Sequence, residues 1–264
     1  MSRPPQSFAD RYGRWAVVAG ASEGLGAAFA EALAARGTNL LLLARRPEVL
    51  ESVASKLRAS PGVEVRTLAL DLADPSFGDR LARETRDLDV GVAVYNAAYS
   101  FVAPLLDRPL AEALRVVDVN VRGPLVFLHS LVPAMVARRR GAVVLMSSLA
   151  GFQGSPGLAA YAASKAFNTV LGESLWAELA PKGIDVVTSC AGAVRTPGYA
   201  KTLKKEAPGT LDASEVAGRT LDALGHGPLV IPGATNRLAS HLLRRLLSRR
   251  SAIGIMARSV SGLS

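Results

Sequence analysis

The 264-residue chain has only one cysteine, Cys190, and only three histidines, His129, His226 and His241. A single cysteine can build neither a disulfide framework nor a cysteine metal cluster. The histidines lie far apart, and no two of them have the i, i+4 spacing with which a helix presents a pair of metal ligands. We therefore expect no metal site, and we interpret Cys190 as a small buried hydrophobic residue.

Aromatic residues make up only 5% of the chain, although its formal net charge is +9. No basic stretch alternates with aromatic residues, so a stacking platform for single-stranded nucleic acid is not expected. Long apolar runs are also scarce, because charged residues and prolines interrupt residues 121–137 before the ~20 apolar residues of a membrane helix are reached. The first residues do not resemble a signal peptide. These absences predict a cytoplasmic protein.

Short apolar segments alternate with longer amphipathic segments along the chain. Strands are predicted at 15–20, 39–44, 63–70, 89–96, 141–148, 183–192 and 227–233. Helices are predicted at about 25–36, 47–59, 75–86, 110–138, 158–180 and 213–224, with another after 235. Near-continuous apolar strands are typical of parallel strands that are covered on both faces, and β-α alternation predicts right-handed crossovers.

The predicted fold class is therefore α/β: a Rossmann-type, doubly wound, mainly parallel seven-stranded sheet with helices on both faces. We expect a single domain over residues 1–264, with a basic amphipathic extension at about 236–264. Ligands of such sheets bind beyond the carboxyl ends of the strands, where the strand order reverses.

The segment GASEGLG, residues 20–26, joins the first predicted strand to the first helix. It fits the G-x-S-x-G turn, in which Ser22 would be the nucleophile of an α/β hydrolase. It also fits a glycine-rich turn that brings the backbone close to a pyrophosphate, although its spacing is not the G-x-G-x-x-G fingerprint. The hydrolase interpretation needs a later acid and histidine, and no histidine here has a recognisable catalytic context. We favour the nucleotide site and keep a hydrolase based on Ser22 as a remote alternative.

The second predicted strand ends at Ala44 and is followed by Arg45 and Arg46. An acidic residue at this position would bind the ribose hydroxyls of NAD, whereas a guanidinium can bind the 2′-phosphate of NADP. Glu23 in the nearby loop would slightly oppose an anionic ligand. The sequence therefore favours NADP(H) over NAD(H). Asp71, after the third strand, could accept a hydrogen bond from the adenine amino group.

Tyr161 and Lys165 have the i, i+4 spacing that places two side chains on one face of a helix. A nearby ammonium favours the phenolate, so Lys165 is expected to lower the pKa of Tyr161 from its ordinary value near 10. Such a tyrosine can act as a general acid or base near neutral pH. Taken alone, the spacing is equally typical of an exposed helical pair.

Together these segments resemble the short-chain dehydrogenase/reductase family over about residues 14–235. The resemblance rests on seven segments in order: GASEGLG, DL at 71–72, YNAA at 95–98, N at 120, SS at 147–148, YAASK at 161–165 and AGAVRTP at 191–197. It implies an NADP(H)-dependent oxidoreductase that interconverts a ketone or aldehyde and an alcohol. Two positions depart from the family pattern: Ala98 stands where glycine is usual, and Ala191 where proline often precedes glycine.

The resemblance also implies catalytic roles. Tyr161 would be the general acid or base, and Lys165 would lower its pKa and hydrogen-bond the nicotinamide ribose. Ser148 would hydrogen-bond the substrate oxygen. Asn120 would hold a water that links Lys165 to solvent. The alternative is a cofactor-bound sensor or scaffold that performs no chemistry.

For the cofactor, the resemblance implies that Val194 and Thr196 face the nicotinamide carboxamide, and that Asn96 and Ala97 support the adenosine side. The complete expected cofactor-binding set is Gly20, Ser22, Gly24, Leu25, Gly26, Arg45, Arg46, Asp71, Leu72, Asn96, Ala97, Tyr161, Lys165, Val194 and Thr196.

Three segments bear on substrate and partners. Residues 151–160 follow Ser148 and are expected to form one wall of the substrate pocket, which Phe152, Leu158 and Phe101 make apolar. We therefore expect a substrate with a sizeable apolar part. Residues 198–213 are either a mobile lid or a surface loop.

The basic segment 241–250 has three interpretations: packing on its own domain or a second subunit, attachment to an anionic membrane, or a nucleic-acid contact. We expect no nucleic-acid partner. The resemblance implies a homodimer or homotetramer.

Overall fold

The computed structural model describes residues 7–59, 61–200 and 206–261. Its strands, in chain order, are β1 (Trp15–Ala19), β2 (Asn39–Ala44), β3 (Val65–Ala69), β4 (Val90–Tyr95), β5 (Gly141–Ser148), β6 (Ile184–Ala191), β7 (Val194–Arg195), β8 (Leu211–Asp212) and β9 (Leu229–Val230). Its helices are α1 (Phe8–Tyr12), α2 (Gly24–Ala34), α3 (Pro47–Arg58), α4 (Phe77–Thr85), α5 (Leu110–Val117), α6 (Gly123–Arg138), α7 (Ala159–Leu179), α8 (Pro197–Ala200), α9 (Ala213–Asp222), α10 (Ala234–Arg245) and α11 (Arg249–Ser261).

A seven-stranded sheet in the order β3-β2-β1-β4-β5-β6-β9 forms the centre of the fold, and all its strand pairs are parallel. The predicted Rossmann-type architecture is confirmed. The strand order reverses between β1 and β4, so the carboxyl ends of these two strands form the crevice in which ligands of such sheets bind.

Both faces of the sheet are buried because side chains alternate along each strand. On β1, Ala16 and Val18 belong to the core under α2, α3 and α9, whereas Val17 and Ala19 belong to the core under α4, α6 and α7. All five β1 residues are buried. The continuous apolar run in the sequence thus reflects two separate hydrophobic layers.

Two predicted elements differ from the structure. The seventh strand, expected over 227–233, contains only Leu229–Val230. Pro228 and Pro232 flank it and cannot donate to a strand ladder. The helix expected over 110–138 is divided into α5, a five-residue π-helical segment at Asp118–Arg122, and α6.

The stretch Leu110–Arg138 is the one candidate membrane span among the described residues, by length and composition only. Its length and hydropathy do not fit the expectation that no apolar segment is long enough to span a membrane. Phe127, Leu131 and Met135 in this stretch are buried against the sheet. A core helix passes the same test, so the finding is weak evidence for a membrane span.

Candidate active site

A cleft of about 340 Å³ opens at the carboxyl ends of the central strands; we call it the glycine-loop cleft. Of the expected cofactor-binding set, all residues line it except Gly26, Tyr161, Lys165 and Val194. The sequence does not predict Tyr99, Val119 or Gly198 in this lining. The full lining is Gly20, Ser22, Glu23, Gly24, Leu25, Ala44, Arg45, Arg46, Leu70, Asp71, Leu72, Asn96, Ala97, Ala98, Tyr99, Val119, Thr196 and Gly198.

Glycine is required at two positions of this loop. Gly20 has a φ of 80°, and a Cβ there would lie 2.7 Å from the Cα of Ala97. Gly26 lies beneath the cleft, where a Cβ would overlap the carbonyl oxygen of Gly20. Asn96 supports the same turn, since its side-chain amide donates to the Gly20 carbonyl at 3.0 Å. The loop is therefore held close to the ends of β1 and β4.

Helix α2 begins at the cleft without a side-chain cap. Its N-cap residue, Glu23, makes no capping hydrogen bond, and its carboxylate instead lies 2.8 Å from Nη2 of Arg46. Gly24 and Leu25, the first residues of α2, line the cleft. Uncapped N–H groups and the positive end of the helix dipole suit a phosphate at this position.

The two arginines after β2 differ in their surroundings. Arg46 is paired with Glu23, so Glu23 neutralises one of the two charges expected to bind an anionic group. Arg45 is exposed and forms no ion pair with a described carboxylate within 4 Å. Arg45 is thus the guanidinium that remains available to a ligand phosphate.

Asp71 lines the cleft but is already engaged. Its carboxylate accepts from the Ala73 N–H at 3.0 Å and pairs with Nη2 of Arg115 at 2.7 Å. Partial burial alone would raise the pKa of Asp71, but these hydrogen bonds, with the charges of Arg115 and Arg45, lower it below its usual range. The expected adenine contact stays a prediction.

The proposed catalytic side chains meet beside this cleft, at the end of β5 and the start of α7. The Ser148 hydroxyl is close enough to the Tyr161 phenol to lower its pKa. Nζ of Lys165 lies 5.5 Å from the centre of the Tyr161 ring. Lys165 is only 3% exposed, and its Nζ donates to the Met146 carbonyl at 2.9 Å. The i, i+4 spacing therefore places both side chains on the same side of the helix, next to Ser148.

The expected direction of the Tyr161 pKa is wrong for this structure. Burial raises the pKa of Tyr161 above its ordinary value, and the hydrogen bond from Ser148 opposes this only in part. Burial also lowers the pKa of Lys165 to about 8, while the Cys190 thiol acts in the opposite direction. Desolvation dominates at both groups because α7 packs against the sheet at this point.

Asn120 occupies the π-helical segment between α5 and α6 and is fully buried. Its side chain accepts from the Tyr99 N–H at 2.8 Å and donates to the Tyr99 carbonyl at 2.9 Å and to Ser164 at 3.0 Å. Its own carbonyl accepts from the side chain of Asn168 at 3.1 Å. Asn120 thus ties the 99 loop, which reaches the cleft, to α7, which carries Tyr161. Its role in holding a water stays a prediction.

The segment after β6 contributes one of its two expected residues to the cleft. Thr196 lines the cleft and caps α8 by accepting from the Tyr199 N–H at 3.1 Å. Val194 does not line the cleft; it lies in the small β7–β8 sheet and packs on the core. Of the lid candidate at 198–213, residues 201–205 lie outside the described residues. Glu206, just after them, pairs with Arg195 at 2.6 Å.

The basic C-terminal segment holds the wall that follows Ser148. The sequence does not predict this contact. The guanidinium of Arg244 in α10 lies 4.3 Å from the centre of the Phe152 ring. Nη1 of Arg249 in α11 donates to the Phe152 carbonyl at 3.2 Å. Two helices thus hold Phe152 of the expected substrate wall, although more than ninety positions of sequence separate them from it. No local pattern could reveal a contact between such distant residues.

Two other expectations concern nucleophiles and metals. Ser22 lines the cleft, and among the described residues no histidine hydrogen-bonds it. Within the described ranges, no group of three or more His, Cys, Asp or Glu side chains could hold a metal ion.

A Rossmann sheet with a glycine-lined cleft at the switch point, next to a Ser-Tyr-Lys cluster, defines a class: dinucleotide-dependent oxidoreductases that act on carbonyl and alcohol groups. Comparisons with known proteins agree. The family model for short chain dehydrogenases matches residues 14–207. The chain belongs to the short-chain dehydrogenase family, and it is a carbonyl/alcohol oxidoreductase.

Relatives and solved structures support this assignment. A 7beta-hydroxysteroid dehydrogenase of Clostridium sardiniense is 35% identical over 195 residues, which are 74% of this chain and 75% of the relative. A structure from a study of 7beta-hydroxysteroid dehydrogenase stereoselectivity has a TM-score of 0.90 and 29% identity, and covers 95% of this chain and 99% of that one. A short-chain dehydrogenase from Sphingobium yanoikuyae, in complex with NADPH, has a TM-score of 0.78 and 27% identity, and covers 92% of this chain and 94% of that one.

Proposed function

We propose that this protein is an NADP(H)-dependent oxidoreductase that interconverts a bulky lipophilic ketone or aldehyde and the corresponding alcohol. The observation that carries the proposal is the juxtaposition of Ser148, Tyr161 and Lys165 beside the glycine-loop cleft. The hydroxyl groups of Ser148 and Tyr161 are neighbours, close enough for Ser148 to lower the pKa of Tyr161. They can therefore both reach one substrate oxygen.

The residues of the cleft fit a dinucleotide. Gly20 and Gly26 let the glycine loop pack closely against its own backbone, and the uncapped start of α2 offers N–H groups to a pyrophosphate. The unpaired Arg45 favours an additional phosphate on the adenosine ribose, as NADP has. When bound, this cofactor supplies or takes the hydride.

The protein's own contribution is polarisation and proton transfer. Negative charge develops on the carbonyl oxygen during reduction, and the hydroxyls of Ser148 and Tyr161 can stabilise it by donating hydrogen bonds. Because burial raises the pKa of Tyr161, its phenol keeps the proton that it must deliver. Lys165, whose pKa is about 8, is mostly charged at neutral pH and favours the phenolate that remains.

The substrate class rests on the wall and on the relatives. Phe152 and Leu158 are half-buried, and Gly157 in the same wall accepts from the Ala103 N–H at 2.9 Å, which brings the 101–104 segment alongside. Phe101 in that segment is also half-buried. A relative that is named for a hydroxysteroid supports a large apolar substrate for this chain.

The test is a carbonyl and alcohol screen that uses NADPH and NADH in parallel. We expect turnover of lipophilic ketones with NADPH and slower turnover with NADH. The variant Arg45→Ala should raise KM for NADPH about tenfold or more, because it removes a charge-assisted hydrogen bond worth about 1.5–3 kcal/mol. It should leave KM for NADH unchanged. Arg83→Ala, an exposed arginine on α4, is the matched control.

Three results would contradict the proposal. Equal use of NADPH and NADH by the unmodified protein would remove the cofactor assignment. Better turnover of small polar ketones than of lipophilic ones would remove the substrate class. NADPH binding without turnover of any carbonyl would favour the alternative of a sensor or scaffold.

We also propose that the protein is a homo-oligomer in the cytoplasm. Helix α5 and the turn before it expose Leu106, Leu110 and Leu114 by 93%, 73% and 51%. The charges around it are paired, as in Arg108–Glu112 at 2.6 Å, so two copies of this surface can approach without repulsion. Light scattering on the unmodified protein and on Leu110→Glu tests the assembly. A monomer in both cases would contradict it.

A further inference from the structure

Helix α10 exposes apolar side chains and buries polar ones. Leu238, Leu242 and Leu246 are 62%, 41% and 69% exposed, and their i, i+4, i+8 spacing places them in one stripe. Asn236 and Ser240 of the same helix are buried. A surface helix normally has the opposite arrangement, with its apolar face toward the core.

The orientation of α10 is fixed by the buried polar residues. The side-chain amide of Asn236 donates to the carbonyls of Pro232 and Gly209, both at 3.0 Å. Rotating the helix to bury its leucines would break both hydrogen bonds and leave two carbonyls unsatisfied. The leucine stripe is therefore a stable feature of the outer surface.

The charged residues of the segment that carries this stripe are all of one sign, and Glu173 of α7 lines the neighbouring pocket with Leu243, Arg244 and Leu247. After Asp222 the chain contains six arginines and no aspartate or glutamate. Of these, Arg237, Arg245 and Arg250 are exposed and form no ion pair within 4 Å of a described carboxylate. The exposed leucines of α5 differ, because paired acids and bases surround them. The α10 surface thus combines exposed leucines with arginines that have no described carboxylate partner.

This combination identifies the chemistry of the partner. A second copy would meet the same surface across a two-fold axis, which would place unpaired arginines opposite each other. A nucleic acid would satisfy the arginines but would leave three leucines without an apolar partner. An anionic lipid surface satisfies both, since leucines enter the acyl boundary while arginines contact the headgroups.

We propose that α10 docks this protein onto an anionic lipid bilayer, with Leu238, Leu242 and Leu246 inserted at the interface. Arg245 and Arg250 then lie at the level of the phosphate groups. Arg244 of the same helix stacks on Phe152. The lipid-facing surface is thus one face of a helix whose neighbouring face touches the expected substrate wall.

Vesicle co-sedimentation of the full chain tests the proposal. The protein should sediment with vesicles of phosphatidylcholine and phosphatidylglycerol. With vesicles of phosphatidylcholine alone, the amount of sedimented protein should be at least tenfold lower. The triple variant Leu238→Ser, Leu242→Ser, Leu246→Ser should lose at least tenfold in partitioning. The matched control is Leu125→Ser, at an exposed leucine of α6 that lies in neither leucine surface, and it should bind as the unmodified protein does.

A second variant keeps the proposal testable if the leucine variant does not fold, as judged by circular dichroism. Arg245→Gln with Arg250→Gln keeps the leucine stripe and should lose the preference for anionic vesicles. Equal binding to both vesicle types, or equal loss in the Leu125→Ser control, would overturn the proposal. It would also be overturned if the α10 variant only converted an oligomer to a monomer, or if the surface bound RNA but no vesicle.

Discussion

Replacing Lys165 by methionine should make the protein more stable while it removes activity. The Lys165 ammonium is 3% exposed, and its one described hydrogen bond goes to the Met146 carbonyl at 2.9 Å. No described carboxylate lies within ion-pair distance of it. A buried charge without a counter-ion destabilises the folded state, so this lysine is retained at the expense of stability.

The magnitude follows from the pKa. The ordinary value for lysine is 10.5, and burial lowers the pKa of Lys165 to about 8. Since one pKa unit corresponds to about 1.4 kcal/mol, the buried ammonium lowers the free energy of unfolding by about 3 kcal/mol at pH 7. Methionine has a similar length and no charge, but it leaves the Met146 carbonyl without a donor, which costs about 1 kcal/mol. The expected net gain for Lys165→Met is about 2 kcal/mol.

The gain should depend on pH in a defined direction. The folded-state pKa of Lys165 lies below the unfolded value, so between pH 8 and 10.5 the unfolded chain binds more protons at this group. Wild-type stability therefore rises through that window, and the penalty is fully present below it. Lys165→Met lacks this titration. Its advantage should be largest at pH 7 and should disappear or reverse near pH 10.5.

The assay is urea unfolding of nucleotide-free protein, followed by circular dichroism at pH 7 and pH 10. Lys182→Met is the control, because Lys182 is exposed and its replacement should change stability by no more than about 0.5 kcal/mol. A variant at Lys165 that is less stable than wild type at pH 7 would refute the reasoning. A stability difference that does not change with pH would refute it as well.

Two further predictions concern the cleft and the substrate wall. Gly26→Ala should abolish NADPH binding and destabilise the fold, because the added Cβ overlaps the Gly20 carbonyl. Gly218→Ala, in α9 with open space around it, should instead add about 0.5–1 kcal/mol of stability. Chemical unfolding measures the stability of both variants, and fluorescence titration measures their binding of NADPH. Arg244→Ala should raise KM for a lipophilic ketone severalfold without changing KM for NADPH, because Phe152 loses its stacking partner; an unchanged KM for the ketone, or a parallel rise for NADPH, would show that this contact does not order the wall.

Much of the fold was predictable because hydrophobic periodicity depends on local sequence. Strands β1, β2, β4, β5 and β6 are apolar runs that helices bury on both faces of the sheet. The division of the long helix was not predictable. Its π-helical segment is stabilised by the Tyr95 hydroxyl, which donates to the Val119 carbonyl at 2.6 Å, and Tyr95 comes from β4. A tertiary contact of this kind leaves no signal within the helix itself.

The same distinction applies to the site. The glycine loop and the Tyr161–Lys165 spacing are local patterns, and the structure places both at the predicted edge of the sheet. The direction of the Tyr161 pKa was wrong because spacing shows a charge nearby but not the burial that outweighs it. The pairing of Arg46 with Glu23 also depends on how two loops meet. Sequence identifies the groups, whereas packing sets their electrostatics.

The most direct test of the central claim is the turnover of Tyr161→Phe with NADPH and a lipophilic ketone, measured together with the Kd for NADPH. The substitution removes one hydroxyl, which neighbours that of Ser148, and leaves the ring in place. If Tyr161 is the proton donor, kcat should fall by about 10²–10⁴ while the Kd for NADPH stays the same. Turnover close to that of the unmodified protein would contradict the account.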